Sequence, residues 1–192
     1  MSGDPFTPSC IQRWENTNII QTKLEWEETF SKTNKITCNV RYQMFYYKVV
    51  HKNYASDAIV SKFDPSVNAK CIHCNIPCDI VHTFVSCIKI EPLWVMVQNW
   101  LKQNFQLKQD FVLTLKMKLL GISKKDCILN SVVIDFIILH VKLYIHKCRR
   151  SECLVSFISF LKYLKFEVLV ERMSLKGNVQ KLAALNDIEN IL

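Results

Sequence analysis

Residues 71–87, CIHCNIPCDIVHTFVSC, hold four of the chain's nine cysteines and two of its five histidines. No other stretch so narrows what the chain can fold into. Cys71 and Cys74 are two residues apart, a spacing that lets two thiolates on one tight turn reach a single ion. His82 and Cys87 extend the pattern to C-x2-C-x7-H-x4-C. Three thiolates and a neutral imidazole are soft to borderline donors, which suits tetrahedral Zn2+. The filled site is then near neutral and can lie against a core. Spacing therefore predicts a structural Zn2+ held by Cys71, Cys74, His82 and Cys87. Two rivals stand beside this set. Cys78 could replace Cys74 or Cys87, and His73 could replace His82. His73 lies inside the Cys-x2-Cys turn, where its side chain tends to point away, so Cys78 is the stronger rival.

Other uses of cysteine fit less well. A redox Cys-x-x-Cys belongs to a βαβ context that this chain lacks. A disulfide framework belongs to secreted chains, and the Met-Ser-Gly-Asp-Pro-Phe start lacks a basic region followed by an apolar run. For the scattered Cys10, Cys38, Cys127, Cys148 and Cys153, packing as small buried hydrophobes is the expected role.

The rest of the chain reads as helix. Apolar residues make up 49%, and only three glycines and five prolines occur in 192 residues, too few for a turn-rich β protein. The expected fold is mainly α: an irregular helical domain with a small zinc-knuckle loop and little or no sheet. Residues 1–12 read as a flexible start, 13–176 as the helical domain with the knuckle at 71–87, and 177–192 as a tail with room for a short helix. Within the domain, 23–31 reads as a short acidic helix. Residues 38–54 read as a stronger one, with Val40, Met44, Tyr47 and Val50 as its apolar face. Asp64-Pro65 marks a turn in the connector before the cluster. Pro92 suits the first turn of a helix over 91–105. A run over 111–120 stops at Gly121. Ser123 and Asp126, at capping-box spacing, open a long helix to Arg150. A last amphipathic helix carries Leu154, Phe157, Ile158, Leu161, Leu164 and Val168 on one side and ends near Gly177.

Residues 127–145 approach the length of a membrane span, but Asn130, Asp135, His140 and Lys142 interrupt them. A central Asp or Lys costs about 2.5–3.5 kcal/mol on insertion scales. A buried bundle helix is the better expectation, and no membrane partner is expected.

Net charge is +8 and unevenly placed. Residues 1–96 carry 10 Lys/Arg against 9 Asp/Glu, whereas 97–192 carry 15 against 8. Clustered positive charge suits a polyanionic partner, though a solvated basic surface looks the same in composition.

Three segments occur in a telling order: RYQMFYYKVVHK (41–52), CIHC (71–74) and HTFVSCIKIEPLW (82–94). Together they resemble the zinc-binding C-terminal region of reverse transcriptases of non-LTR, LINE-type retrotransposons. That family shows an R-x3-F-x2-K-x2-H-R helix, a C-x2-C pair, an H-x-F-x2-C element and a Trp seven residues after the last Cys. Arg41, Phe45, Lys48, His51, His82, Phe84, Cys87 and Trp94 match, with Lys52 where the family often has Arg. WEETF (26–30), KLLGI (118–122) and the apolar helix ending HKCRR also fit, so the likeness spans about 13–176. Lys52 and the additional Cys78 depart from the pattern.

The resemblance implies a piece of a larger protein that copies RNA into DNA, placed in a cytoplasmic ribonucleoprotein or the nucleus. The polymerase signature, an aromatic followed after one residue by two aspartates, does not occur here. No two aspartates are adjacent, so no catalysis and no small-molecule substrate are expected. The implied partners are RNA and/or DNA, and the polymerase part of a retrotransposon protein. Phosphate contacts are expected from two stripes: Arg41, Lys48, His51 and Lys52, then Lys142, His146, Arg149 and Arg150. Tyr42 or Tyr46 offers a ring for a single-stranded base, though packing is the commoner use of such tyrosines. An interaction module that docks on the polymerase body without touching nucleic acid is the alternative. A metal hydrolase would need an open zinc position and a nearby base.

Overall fold

A chain with three glycines turns where polar side chains cap its helices. In a computed structural model, residues 9–17, 19, 21–105, 107–126, 128, 131–175, 185–186 and 188–192 are described. They form nine α-helices: α1 (Ser9–Glu15), α2 (Lys23–Ser31), α3 (Thr33–Ile36), α4 (Val40–Val50), α5 (Asp57–Val60), α6 (Glu91–Asn104), α7 (Leu115–Leu120), α8 (Ser131–Arg150) and α9 (Phe157–Ser174). A π-helical turn spans His82–Ser86 and a 3-10 turn spans Lys124–Asp126. The fold is mainly α. Among the described residues, extended pairing is confined to a bridge between Lys70 and Pro77.

The caps explain several starts. Thr22 and Glu25 form a full capping box on α2, Thr22 N donating to Glu25 Oε2 at 2.8 Å. Asn39 accepts from Arg41 N on α4, and Thr114 from Met117 N on α7. Pro92 sits in the first turn of α6. Asp126 does accept from Ser123 N, at 2.7 Å, but the bond closes the 3-10 turn, and α8 begins separately at Ser131.

Where the chain reads as a loose start, α1 buries Cys10 and Trp14, and Trp14 Nε1 donates to Val50 O at 2.6 Å. The expectation for Cys127 lies outside the described residues, as does most of the tail over 177–184. Leu185 and Ile188 are buried in the core.

Two helices depart in part from the face their spacing suggests. On α4 the core side is Phe45, Tyr46, Val49 and Val50, while Val40, Met44 and Tyr47 are exposed. Both sets recur at steps of three and four, so period alone did not separate them. The larger rings won because α4 fits between α3, α7 and α8. On α9 the expected face holds in part: Leu164 and Val168 are buried, joined by Phe160, Glu167 and Glu171, and Phe157 and Leu161 pack against the core, while Ile158 is exposed, as is Leu154 ahead of the helix. The two glutamates are buried because they hold α4 and the turn before it: Tyr42 Oη donates to Glu167 at 2.6 Å, and Thr37 Oγ1 to Glu171 at 2.8 Å.

Helix α8 is the spine, packed by α3, α4, α9 and the π-helical turn. No helix of the described residues is long and apolar enough to cross a membrane. Asp135 and Lys142 of α8 are instead satisfied inside the core. Asp135 pairs with Lys32 at 3.1 Å and accepts from Ile122 N at 2.7 Å. Lys142 Nζ donates to Leu119 O at 2.6 Å. This network fastens the 119–122 corner, where Gly121 has φ +89°.

Candidate metal centre and adjoining basic groove

The cluster at 71–87 closes on itself. Cys71 N donates to Ile76 O at 2.9 Å, Asn75 N to Cys71 O at 2.8 Å, and Cys78 N to Ala69 O at 2.8 Å. Asn75 takes the left-handed conformation at φ 55°, which asparagine tolerates better than most residues. This turn aims Cys71 and Cys74 the same way. The other two donors open and follow the π-helical turn, His82 as its first residue, where Asp79 Oδ1 accepts from His82 N at 2.7 Å, and Cys87 just after its end. A π-helical turn widens the backbone and recurs at functional sites. Here it sets His82 and Cys87 opposite the cysteine pair.

The donor atoms of Cys71, Cys74, His82 and Cys87 all lie within 4.8 Å of one another. The Cys71–Cys87 and Cys74–Cys87 sulfurs are 3.9 and 3.8 Å apart. A tetrahedron with metal–sulfur bonds of about 2.3 Å has edges of about 3.8 Å. His82 Nε2 is buried and has no hydrogen-bond partner in the chain. Of the seven buried side-chain atoms left this way among the described residues, only that of His82 belongs to the donor cluster, where a cation could satisfy the ring. The cluster can therefore hold a metal ion.

Burial opposes ionisation of Cys71, but His82, the His73 and Cys74 amides and Cys87 outweigh it and bring the thiol down to about 6. Burial pushes Cys87 up to about 12, with the neighbouring sulfurs adding to the rise. Cys71 is thus ready to ligate, and Cys87 releases its proton to an arriving cation.

Both rivals fall away. His73 is exposed and outside the donor cluster. Cys78 is buried with its sulfur 3.5 Å from Arg149 Nη2, so it serves α8. The metal loop sits on α6 through Trp94, whose Nε1 donates to Phe84 O at 2.7 Å. Phe84 and Trp94 are both fully buried.

The two basic stripes fare differently. Lys142 is 1% exposed and bonded to a backbone carbonyl, which overturns its assignment to a phosphate. Its side chain projects from the face of α8 turned to α4 and α7, with the ammonium 5.7 Å from the Tyr46 ring centre. His51 stacks on Tyr47 and Phe30. Lys52 donates to Arg13 O at 2.6 Å and lies over Trp14. Tyr46 is buried and Tyr42 is committed to Glu167, so neither offers a free ring.

The remaining five come together. Arg41 and Lys48 from α4 face His146, Arg149 and Arg150 from α8 across one open groove of about 520 Å³. Tyr54 stands in it with its Oη 2.8 Å from His146 Nδ1. Burial, then the charges of Arg150, Arg149 and Lys48, holds the His146 imidazole below its ordinary pKa. Tyr54 and Asp57 are the groove residues the sequence did not suggest. The polar run after α4 gave no signal beyond its length.

No protein-family model matches this chain, and no curated protein matches it.

Proposed function

We propose that this chain is a non-catalytic nucleic-acid-binding helical domain clamped by a structural zinc ion, of the kind found at the C-terminal end of LINE-type reverse transcriptases. Convergence carries the reading: two basic stripes that are far apart in sequence meet as the two walls of one groove. Three thiolates with one imidazole favour zinc over harder cations. A bound zinc would supply a cross-link of net charge about −1 between the cysteine turn and the π-helical turn. Trp94 then passes that order to α6.

In the groove, Arg41, Lys48, Arg149 and Arg150 pair with phosphate oxygens. Such contacts are sequence-independent. Each phosphate neutralised on a single strand adds about 0.7 to the slope of log K against log salt. Three to four contacts give a slope of roughly −2 to −3. Titrating single-stranded RNA and single-stranded DNA at several salt concentrations tests this, and binding without salt dependence overturns it.

The docking alternative has one observation of its own. Ile158, Phe166 and Met173 on α9 are 67%, 61% and 80% exposed and share one side of the helix. A polymerase body seated there would leave nucleic-acid affinity at background in the same titration.

A further inference from the structure

The groove holds one acid among its bases. Asp57, the first residue of α5, accepts a hydrogen bond from Arg149 Nη2 across the groove wall. Its side chain is 39% exposed and that of Arg149 is 26% exposed. The same Nη2 is 3.5 Å from Cys78 Sγ, at the foot of the metal loop. Among the described residues, no carboxylate pairs with Arg41, Lys48 or Arg150. The other lining cations are open, and only Arg149 is already engaged by an anion.

A guanidinium presents the same fork to a carboxylate and to a phosphate. We propose that the groove is a phosphodiester-binding cleft in which Asp57 occupies, in the free protein, the place on Arg149 that a backbone phosphate takes in the complex. The inference rests on the nucleic-acid reading above. The incoming strand meets Arg41 and Lys48 on one wall and Arg150 on the other. It displaces the Asp57 carboxylate, which is exposed enough to turn into water. Cys78 keeps the guanidinium at the wall while the exchange occurs. The cleft therefore discriminates against weakly charged ligands, because a ligand has to compete with an anion already in place.

Asp57→Asn removes the competitor. Affinity for single-stranded RNA should rise roughly two- to fivefold, the range of an exposed ion pair. The salt slope should stay at the wild-type value, because the same phosphates are neutralised in both complexes. Asp110→Asn, which removes an exposed acid outside the groove, should change neither. In an Arg149→Gln background the gain from Asp57→Asn should vanish. A gain that persists there, or one equalled by Asp110→Asn, shows general charge at work and overturns the inference while leaving the nucleic-acid reading intact. Affinity unchanged or lower in Asp57→Asn overturns it also. Failure of the wild-type protein to bind RNA or single-stranded DNA overturns both. Zinc content and circular dichroism certify each variant. Asp57→Ser, small and suited to a helix's first turn, replaces Asp57→Asn if that variant misfolds.

Discussion

Replacing Gly121 with alanine should be among the most damaging single changes in this chain. Gly121 has φ +89° and ψ −179°, a region almost closed to residues with a Cβ. Occupying it costs about 1–3 kcal/mol. Space adds to the cost. A Cβ built on Gly121 would come within 2.5 Å of Asp135 Oδ1 and 3.1 Å of Lys32 Nζ. That carboxylate is 4% exposed and accepts from Ile122 N at 2.7 Å, so it cannot move without stranding a buried charge. Losing such a charged hydrogen bond costs about 1.5–3 kcal/mol. The expected loss is about 3–5 kcal/mol, a large part of a typical stability of roughly 5–15 kcal/mol. Urea unfolding followed by tryptophan fluorescence, with saturating zinc, measures it directly. The melting temperature should fall by roughly 6–20 °C. A loss below about 1 kcal/mol would mean that the corner relaxes freely, and would refute the rigid anchoring of 119–122 by Asp135.

Further outcomes follow from the site and the core. Purified protein should carry one equivalent of zinc, lost in Cys74→Ser and kept in Cys78→Ser; metal analysis decides it. Trp94→Phe removes the donor to Phe84 O, should cost about 1–3 kcal/mol, and should speed zinc loss to a chelator. Lys48→Gln should flatten the salt slope by about 0.7, whereas the buried Lys142→Met should leave nucleic-acid affinity unchanged in whatever fraction folds. His140 is buried, and burial holds its pKa down to about 3 from 6.5. Its neutral form is the one the core accepts, so its contribution is whole above about pH 6.5 and is lost as pH falls toward 3. At about 1.4 kcal/mol per unit that approaches 4–5 kcal/mol, and His140→Phe should flatten the urea midpoint across this range relative to wild type.

The metal donors were legible because all four sit on local turns, where spacing determines reach. Choosing between Cys74 and Cys78 was not, since it depended on Arg149, which lies on α8. Helix positions followed from caps and periodicity: residues 23–31 match α2, and 91–105 matches α6 to within a residue. Helix faces were harder. Val40 and Met44 have the same spacing as Phe45 and Val49, and only the neighbours of α4 decide which set is buried. Charged residues were hardest of all. Lys142 and Arg150 lie on one helix, yet the first is sealed against Leu119 and the second lines the groove. A lysine reads as a surface residue in sequence, and its burial here depends on carbonyls freed at the end of α7.

The metal cage and the groove also differ in when they can exist. The cage closes within residues 71–87, so its loop is short and its closure entropy small. A growing chain can take up its ion soon after Cys87 emerges. The groove needs Arg41 and Arg149, more than a hundred positions apart, and has no second wall until α8 is made. On the function proposed above, metal uptake and grip on phosphate would thus be separable in time. A shortened product ending before Ser131 would keep all four donors while having no cleft to grip with.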